Sequence, residues 1–296
     1  MLFRNRFWSD KTFPKRNFSI IVQWKKKKMK DKVVVITGAS SGIGKALAFT
    51  FAAKGSPVFL GARSTDKLEN IVHEIRAAGG KAAFSSLDVT RKTDCENFIK
   101  KAKETFGKID VLINNAGISM RALFADTTPE VLKEVMDVNF WGTVYCTKYA
   151  LPYLLETKGT VVAVSSVAGI KGLPGRTGYS ASKFAIHGFM ESLRIENLKT
   201  GLHVLMAYPG FTASNIRNTA LTADGSQQGK SPIEEGKIMP AEEVAEHIYR
   251  AVKKRKKSMV LTTEGKLTVF LSKFFTGFLD KLVYNRMAKE PDSPFK

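Results

Sequence analysis

Residues 33 to 44 read Val-Val-Val-Ile-Thr-Gly-Ala-Ser-Ser-Gly-Ile-Gly, and Lys45-Ala-Leu-Ala-Phe-Thr-Phe-Ala-Ala-Lys54 follows with apolar residues at helical spacing. This pattern predicts a buried strand, a glycine-rich turn and the start of a helix. Glycines let a backbone turn tightly and approach a diphosphate, whose charge is met by amide groups and by the positive end of the helix dipole. The spacing of Gly38, Gly42 and Gly44 differs from the G-x-G-x-x-G fingerprint. The inference of a dinucleotide site therefore depends on the strand-turn-helix context.

Strand-like and helix-like runs alternate through the rest of the middle of the chain. Strands are predicted near residues 33–37, 57–62, 82–87, 109–114, 159–166, 202–208 and 258–262. Such alternation predicts an α/β fold with one doubly wound, Rossmann-like parallel sheet of about seven strands flanked by helices. Ligands of these sheets bind beyond the carboxyl ends of the strands. The polar or special residues that fall there are Gly38, Arg63, Asp88, Asn115, Ser166 and Pro209.

The second predicted strand ends at Arg63 and Ser64, where the adenosine ribose of a dinucleotide would reach the neighbouring strand. An acidic residue at this place would accept hydrogen bonds from a ribose 2′-hydroxyl, as NAD requires, whereas a cation and a hydroxyl suit a 2′-phosphate. The pair therefore favours NADP(H) over NAD(H). The alternative is that Arg63 is a surface arginine at the end of a strand.

A tyrosine and a lysine lie four residues apart in Tyr179-Ser-Ala-Ser-Lys183, and Ser166 precedes the tyrosine by 13 positions. Positions i and i+4 share one face of a helix, so the Lys183 ammonium would lie beside the Tyr179 phenol. A free phenol has a pKa near ~10, and a neighbouring cation lowers it toward the range of a general acid and base. Ser166 could bind the same substrate oxygen. In isolation such a pair is more often a solvated helix face, but the motifs around it favour chemistry.

Further motifs follow in order along the chain, namely Asn114-Asn-Ala-Gly117, Asn139 and Pro209-Gly210. Together with Thr37-Gly-Ala-Ser-Ser-Gly-Ile-Gly44, Ser166 and Tyr179-x-x-x-Lys183, they resemble the classical short-chain dehydrogenase/reductase family. The resemblance covers residues 31–262, and the interval between Ser166 and Tyr179 matches the one that the family uses.

The resemblance implies roles for these residues. Tyr179 would give and take the proton, Lys183 would lower the pKa of Tyr179 and hold the nicotinamide ribose, and Ser166 would orient the substrate carbonyl. Asn139 would hold a water that connects Lys183 to bulk solvent. The implied catalytic set is Asn139, Ser166, Tyr179 and Lys183, of which Ser166 and Tyr179 also bind substrate. The implied cofactor contacts are Gly38, Ser40, Ser41, Gly42, Ile43, Gly44, Arg63, Ser64, Asp88, Val89, Asn115, Ala116, Gly117, Tyr179, Lys183, Pro209, Gly210 and Thr212.

The positive charge of the chain is concentrated at its ends. Of the formal net charge of +20, residues 1–30 carry +9 and residues 250–296 carry +8. A chain of 296 residues with 44% hydrophobic residues can bury one sizeable α/β core. We therefore predict a basic and disordered N-terminal extension over 1–30, a catalytic domain over 31–262 and an amphipathic C-terminal extension over 263–296.

The N-terminal extension contains Lys25-Lys-Lys-Lys28 directly before Met29. It has no secretory signal pattern, because Phe18-Ser-Ile-Ile-Val22 is too short an apolar stretch and no small-residue cleavage site follows. Three interpretations compete: a disordered basic arm, a mitochondrial-type presequence, or sequence upstream of a true start at Met29. The first and third are favoured. Basic and aromatic residues show no arrangement for nucleic-acid binding, so no nucleic-acid partner is expected.

Apolar residues recur at helical spacing between Lys266 and Met287 and predict one amphipathic helix. They are Leu267, Phe270, Leu271, Phe274, Phe275, Phe278, Leu282 and Val283. Charges interrupt the run, so a transmembrane span is not predicted. Packing on the substrate mouth or in a dimer is favoured; the alternative is a membrane interface, with Lys253-Lys-Arg-Lys-Lys257 near anionic lipids. By resemblance, family members that act on lipids or steroids often carry similar tails.

A long polar stretch, residues 211–239, directly follows the predicted nicotinamide cover. Loops of this length inside a compact domain are usually lids or disordered inserts. We predict a substrate lid that orders when ligands bind.

Cysteine and histidine usage suggests neither a disulfide framework nor a metal site. Cys95 and Cys146 have no C-x-x-C spacing, and the four histidines are scattered. A metal-independent enzyme in a reducing compartment is expected, cytoplasmic and with membrane association left open. The family resemblance further implies a homodimer or homotetramer formed by the helices around 130–155 and 179–198.

The leading hypothesis is an NADP(H)-dependent oxidoreductase that transfers hydride reversibly between NADPH and the carbonyl of an apolar ketone or aldehyde. Lipid-derived, steroid-like and retinoid-like compounds are the substrate classes considered, and by family position the pocket would include Ile118, Val167, Leu173 and Phe211. Two alternatives are an NAD-dependent alcohol dehydrogenase of the same family and a non-catalytic dinucleotide-binding scaffold at a membrane. The intact set of proton-transfer residues argues against the scaffold.

Overall fold

The structure is a computed structural model, and it describes residues 29–231 and 238–295. The predicted N-terminal extension, apart from Met29 and Lys30, lies outside the described residues, as do residues 232–237 of the predicted lid.

Seven strands form one parallel sheet. They are β1 (Val34–Thr37), β2 (Val58–Ala62), β3 (Ala82–Ser86), β4 (Val111–Asn114), β5 (Thr160–Val164), β6 (His203–Tyr208) and β7 (Ser258–Val260). Their order is β3-β2-β1-β4-β5-β6-β7, and every neighbouring pair is parallel. The order reverses between β1 and β4, which opens a crevice at the carboxyl ends of these strands. The predicted doubly wound sheet is confirmed, and each strand lies within two residues of its predicted bounds.

Helices cover both faces of the sheet. They are α1 (Gly42–Ala53), α2 (Thr65–Ala77), α3 (Lys92–Phe106), α4 (Pro129–Met136), α5 (Gly142–Glu156), α6 (Thr177–Glu196), α7 (Ala241–Lys253), α8 (Thr263–Phe274) and α9 (Thr276–Ala288). One buried cluster holds residues of α1, α2 and α7, and another holds residues of α3, α5 and α6. Buried apolar surface on both faces of the sheet is the main source of its stability.

The first strand contributes side chains to both buried clusters. Val34 and Ile36 belong to the cluster under α1 and α7, whereas Val35 belongs to the cluster under α3 and α5. Successive side chains of a strand point to opposite faces, so a strand buried on both faces is apolar at every position. This is why the Val-Val-Val-Ile run predicts a central strand and not an edge strand.

A short segment between α4 and α5 departs from the ordinary α-helix. Residues Asp137–Trp141 form a π-helical turn, a rare irregularity that is frequent at functional sites. Asn139 lies in the middle of this turn and is fully buried. The turn therefore aims one amide side chain into the interior from an otherwise continuous helix.

The prediction of one continuous C-terminal helix is wrong, because α8 and α9 meet at a bend. Phe275 has φ −131° and ψ 51°, outside the helical region. Thr276 and Gly277, both weak helix formers, follow it. The bend allows Leu279 and Met287 to be buried at 4% and 3% exposure. Among the described helices, none combines the length and the apolar composition needed to cross a bilayer.

The described part of the predicted lid is fixed to the body of the domain. The backbone amide of Leu221 donates to Ser119, and the amide of Arg121 donates to Leu221, at 2.9 and 2.8 Å. Leu221 also joins a small apolar cluster with Met120 and Val135. A buried apolar side chain and backbone hydrogen bonds thus hold the middle of this loop over the crevice.

Candidate active site

A cavity of about 810 Å³ opens at the carboxyl ends of the strands. Among its lining residues are most of the residues that the sequence predicts for the site. They are Gly38, Ser40, Ser41, Gly42, Ile43, Arg63, Ser64, Asp88, Val89, Asn115, Ala116, Gly117, Ser166, Tyr179, Lys183, Pro209, Gly210 and Thr212. Gly44 and Asn139 are not among the lining residues, and both lie behind the cavity wall.

The glycine-rich turn is closed by the loop that follows β4. Gly38 has φ +64°, a conformation that favours glycine, and a side chain there would approach the Cα of Ala116 to 2.7 Å. A side chain at Gly44 would collide with the carbonyl oxygen of Gly38. The Thr37 hydroxyl accepts hydrogen bonds from the amides of Asn115 and Ala116, both at 3.0 Å. The glycines thus let the turn close tightly against the loop after β4 at the N-terminus of α1, a place where backbone amides can bind a diphosphate.

Three side chains meet at the opposite wall of the cavity. The Ser166 hydroxyl lies within hydrogen-bonding reach of the Tyr179 phenol. The Lys183 ammonium lies 5.6 Å from the centre of the Tyr179 ring and donates to the carbonyl oxygen of Val164 at 3.1 Å. Helix α6 carries Tyr179 and Lys183, and Ser166 follows β5, so the sheet and one helix together fix this group.

The pKa of Tyr179 differs from the sequence-based expectation. Burial raises the pKa of the phenol above its ordinary value, while the hydrogen bond with Ser166 and the charge of Arg176 act in the opposite direction. The net shift is upward because burial desolvates the phenolate. That Lys183 lowers this pKa relative to the same buried phenol without the lysine stays a prediction.

Lys183 is itself perturbed. Its side chain is only 3% exposed, and burial lowers its pKa to about 8 from an ordinary value of 10.5. A buried ammonium is disfavoured relative to the neutral amine. The lysine therefore remains protonated at neutral pH but with a smaller margin than a surface lysine has.

Asn139 acts from behind the wall. Its amide oxygen accepts from the backbone amide of Ile118 at 2.8 Å, and its amide nitrogen donates to the carbonyl of Ile118 and to the Ser182 hydroxyl at 3.0 and 2.9 Å. A side chain on Gly117 would lie 3.0 Å from the amide oxygen of Asn139 and 3.5 Å from the Lys183 nitrogen. Asn139 thus holds the loop after β4 against the helix that carries Lys183.

The structure adds residues that the sequence patterns did not single out. Lys67, one turn into α2, lines the cavity beside Arg63, and Arg176, directly before α6, lines it beside Tyr179. Both lie one helical turn from a predicted site residue, and this spacing could have revealed them. The C-terminal helices also line the cavity through Gly265, Thr268, Val283, Arg286 and Met287. The interpretation that the C-terminal segment packs on the substrate mouth, drawn from its apolar spacing, agrees with this placement, although that spacing singles out only Val283 among these five residues.

Asp88 lies at the cavity with a local hydrogen-bonding partner. Asp88 lines the cavity, and its carboxylate accepts hydrogen bonds from the amide and the hydroxyl of Thr90 at 3.0 and 2.8 Å. Within residues 29–231 and 238–295, His, Cys, Asp and Glu side chains form no group of three that could hold a metal ion.

Comparison with known proteins decides the family. A family model described as short chain dehydrogenase matches residues 32–224. The chain is a short-chain dehydrogenase/reductase. Among its relatives is the mouse dehydrogenase/reductase SDR family member 7B, which is 35% identical over 271 residues, 90% of this chain and 84% of the mouse protein.

Two solved structures of this family have the same fold. An alcohol dehydrogenase from the archaeon Thermococcus sibiricus, complexed with 5-hydroxy-NADP, has a TM-score of 0.70 and 30% identity, over 78% of this chain and 95% of its own. A short-chain dehydrogenase/reductase from Burkholderia phymatum, in complex with NAD, has a TM-score of 0.76 and 25% identity, over 85% and 96%. The short-chain dehydrogenase/reductase fold thus binds a nicotinamide dinucleotide. The glycine-rich turn of this chain suits the diphosphate of such a cofactor.

Proposed function

We propose that this short-chain dehydrogenase/reductase is an NADP(H)-dependent enzyme that reduces the carbonyl of an apolar ketone or aldehyde and can run the reverse oxidation. The observation that carries the proposal is the meeting of Ser166, Tyr179 and Lys183 on one wall of the cavity, opposite the glycine-rich turn. A proton donor and a hydrogen-bond donor there can bind one carbonyl oxygen together.

In the proposed reaction, the bound nicotinamide supplies or accepts the hydride. Tyr179 donates its proton to the substrate oxygen, and Ser166 donates a hydrogen bond to the same atom. Because burial raises the pKa of Tyr179, the phenol keeps its proton at neutral pH, which suits reduction. Lys183 places a positive charge beside the phenolate that forms, and Asn139 fixes the loop next to it. We further propose that Asn139 retains a water between Lys183 and solvent.

The cofactor would lie along the carboxyl edge of the sheet. The diphosphate would bind the turn from Gly38 to Gly44 through Ser40, Ser41 and Ile43, and Asp88 and Val89 would flank the adenine. The ribose of the nicotinamide would contact Tyr179, Lys183 and the loop Asn115–Gly117. Pro209, Gly210 and Thr212 would cover the nicotinamide ring.

The preference for NADP(H) rests on the charges after β2. Arg63, Ser64 and Lys67 line the same part of the cavity, and Ser64 is the residue before α2. Two cations, a hydroxyl and the positive end of a helix dipole form a site for a 2′-phosphate. Asp66 is also in the first turn of α2, but two cations outnumber it.

Replacing Arg63 with alanine is expected to weaken NADPH binding about 10- to 100-fold, because a charge-assisted hydrogen bond contributes about 1.5 to 3 kcal/mol. NADH binding should change by less than about twofold, since NADH has no 2′-phosphate. Fluorescence titrations of both nucleotides against wild type, Arg63→Ala and Lys67→Ala measure this difference.

Lys81→Ala is the matched control, because this exposed lysine lies at the amino end of β3, away from the cavity. Equal weakening of both nucleotides by Arg63→Ala would contradict the phosphate site. Tight NADH binding that is insensitive to Arg63 would favour the alternative of an NAD-dependent alcohol dehydrogenase.

The apolar substrate class is supported by the side chains around the reactive group. Ile118, Val167, Leu173 and Phe211 line the cavity together with Leu221 of the lid. An apolar ligand buries the most apolar area against such a lining and is therefore bound most favourably. Consumption of NADPH with acetophenone or decanal, and none with a small polyhydroxylated ketone, is the expected specificity. We also propose that the loop predicted over residues 211–239 forms a lid on the bound substrate, of which the described middle around Leu221 already lies over the crevice.

We propose that the enzyme forms a homodimer or homotetramer through α5 and α6. Trp141 and Phe184 are 42% and 44% exposed, and Ile195 and Leu198 are 55% and 70% exposed, on these helices or beside them. Large apolar side chains that stay exposed in one chain are typical of interfaces. The free, buried thiols Cys95 and Cys146 suit a reducing compartment such as the cytoplasm.

We propose that α8 and α9 contact an anionic lipid surface. Leu267, Phe270, Phe274, Phe275 and Phe278 are each between 54% and 67% exposed, whereas Gly265, Thr268 and Val283 face the cavity. Lys266, Lys273 and Lys281 lie on the same two helices. An exposed aromatic face with lysines beside it suits a membrane interface, and an apolar substrate could enter from there.

Vesicle flotation tests this surface. The full chain is expected to float with vesicles that contain anionic lipid, and replacement of Phe270, Phe274 and Phe278 with serine should reduce the floating fraction at least about tenfold, since each aromatic side chain buries substantial apolar area. The control is Phe124→Ser, because Phe124 is 66% exposed in another part of the molecule. Equal flotation of the triple variant and wild type would refute the proposed contact.

A further inference from the structure

The segment that follows α9 packs against the turn that begins the helix of Tyr179. A side chain on Gly175 would lie 3.3 Å from Pro294 and 3.5 Å from Phe295. The Arg121 guanidinium donates to the carbonyl oxygen of Pro291 at 2.7 Å. The extreme C-terminal part of the described chain therefore touches the backbone three to four residues before Tyr179.

A buried cluster of charges lies at this contact. Glu290 accepts two hydrogen bonds from the Arg176 guanidinium, at 3.0 and 3.3 Å, and forms an ion pair with Arg121 at 3.3 Å. All three side chains are at most 10% exposed. Both of the Arg176 bonds to Glu290 come from Nη2, and the other terminal nitrogen, Nη1, contacts the sulfur of Met287 at 3.8 Å. Glu290 thus pairs with two buried guanidinium groups, and the carboxylate of Asp292 adds a second negative charge near Arg121.

Arg176 connects this cluster with the reactive phenol. It is the residue directly before α6, it lines the cavity, and it precedes Tyr179 by three positions, so both lie on the same side of the first helical turn. The Arg176 side chain is 10% exposed, so water screens its charge little, and this charge favours the phenolate of Tyr179.

We propose that Glu290 is a positioning residue for Tyr179: it fixes the Arg176 guanidinium at the start of α6 and balances its charge next to the phenol. The inference rests on the proposed function, in which Tyr179 is the proton donor. It makes the C-terminal extension part of the reactive site and not an appendage, although Glu290 lies more than a hundred residues from Tyr179 in the sequence.

The charges around the two groups set the direction of the expected effects. Tyr179 faces the Ser166 hydroxyl, the Arg176 guanidinium and the Lys183 ammonium. Glu290 faces Arg176 and Arg121, and Asp292 lies near Arg121. Loss of the Glu290 charge strengthens the positive field at the phenol and favours phenolate. Loss of the Arg176 charge weakens that field and disfavours phenolate.

The test is the pH dependence of alcohol oxidation, a reaction that needs the phenolate. With NADP⁺ and the alcohol formed from acetophenone, Glu290→Gln should move the midpoint of the rising limb to lower pH by about half a unit or more, and Arg176→Met should move it to higher pH by a similar amount. A purely structural role would not move the two variants in opposite directions. Asp280→Asn is the matched control, because Asp280 lies on the same extension as Glu290 and forms an exposed ion pair with Lys171.

A second readout does not depend on turnover. The ultraviolet difference spectrum of tyrosinate, with Tyr179→Phe as the blank, should show the same opposite shifts in the two variants. Unchanged midpoints in both, with turnover that still requires Tyr179, would overturn the role of Glu290 and leave the proposed function intact. Wild-type turnover in Tyr179→Phe would refute the proposed function instead. If Glu290→Gln does not fold, Glu290→Asp takes its place, because the shorter side chain keeps a carboxylate in the cluster but moves it away from Arg176. The midpoint should again move to lower pH, and an unchanged midpoint would overturn the role of Glu290.

Discussion

Replacing Tyr179 with phenylalanine is expected to lower kcat by about a thousandfold, which is within the range that general acid catalysis contributes. Phenylalanine fills the same volume in the cavity wall but has no proton to donate and no hydrogen bond with Ser166. NADPH affinity should change by less than about twofold, because one lost hydroxyl contact is a small part of dinucleotide binding. Steady-state rates with acetophenone and NADPH, together with a fluorescence titration of NADPH, measure both quantities.

The control for this variant is Tyr153→Phe. Tyr153 lies on α5 and is not among the residues that line the cavity, and the same hydroxyl is removed there. Its kcat should equal that of wild type. If Tyr179→Phe retained wild-type turnover, another group would be the proton donor. If neither wild type nor Tyr153→Phe consumed NADPH with any carbonyl compound while both bound it, the scaffold interpretation would gain support.

Replacing Lys183 with methionine is expected to lower turnover at least about a hundredfold and to raise the stability of the cofactor-free protein. The loss of turnover follows because no cation remains beside the phenolate that forms on Tyr179. The gain in stability follows because the buried ammonium is disfavoured in the folded state: burial lowers its pKa from 10.5 to about 8.

The sign of this effect follows from proton binding. Between pH 8 and 10.5, the unfolded chain binds more protons at this lysine than the folded one, so the free energy of unfolding rises with pH across this window. Below pH 8, the folded state carries the full penalty, about 3 kcal/mol. In Lys183→Met, loss of the hydrogen bond to the carbonyl of Val164 lowers the free energy of unfolding by about 1 kcal/mol and offsets part of this gain. The net gain at pH 7 is therefore about 2 kcal/mol in the free energy of unfolding.

Thermal unfolding at pH 7 and at pH 10.5, followed by circular dichroism, measures this gain. Lys183→Met should unfold at a higher temperature than wild type at pH 7, and the difference should shrink at the higher pH. Lys183→Arg keeps a buried charge and should give no gain. A methionine variant that is less stable than wild type at pH 7 would show that the ammonium stabilises the fold.

Local patterns predicted the framework of this molecule well, and the reason is visible in particular residues. The Val-Val-Val-Ile run is buried on both faces of the sheet because β1 has helices above and below it. Positions 38 and 44 require glycine, because a side chain there would collide with Ala116 in one case and with the carbonyl oxygen of Gly38 and the side chain of Asn115 in the other. Strand bounds and the placement of the motifs at the strand ends depend on such short-range rules, which the sequence contains in full.

The electrostatics of the site could not be predicted in the same way. The four-residue spacing of Tyr179 and Lys183 correctly places them together, but the direction of the Tyr179 pKa depends on burial by residues that are distant in the sequence. The same holds for the C-terminal extension. Its apolar spacing predicts one amphipathic helix, while the bend at Phe275 depends on which surfaces of α8 and α9 the body of the domain can bury.

The sequence by itself determined the parallel sheet, the glycine-rich turn, the side chains proposed as reactive and the family of the chain. Each of these is encoded by residues within one strand, one turn or one face of a helix. Only the tertiary structure decided that the phenol is desolvated, that Lys67 and Arg176 reach the cavity, and that Glu290 lies between two arginines. Solvation and charge balance are sums over every group that packs nearby, and packing brings together residues that no sequence interval relates.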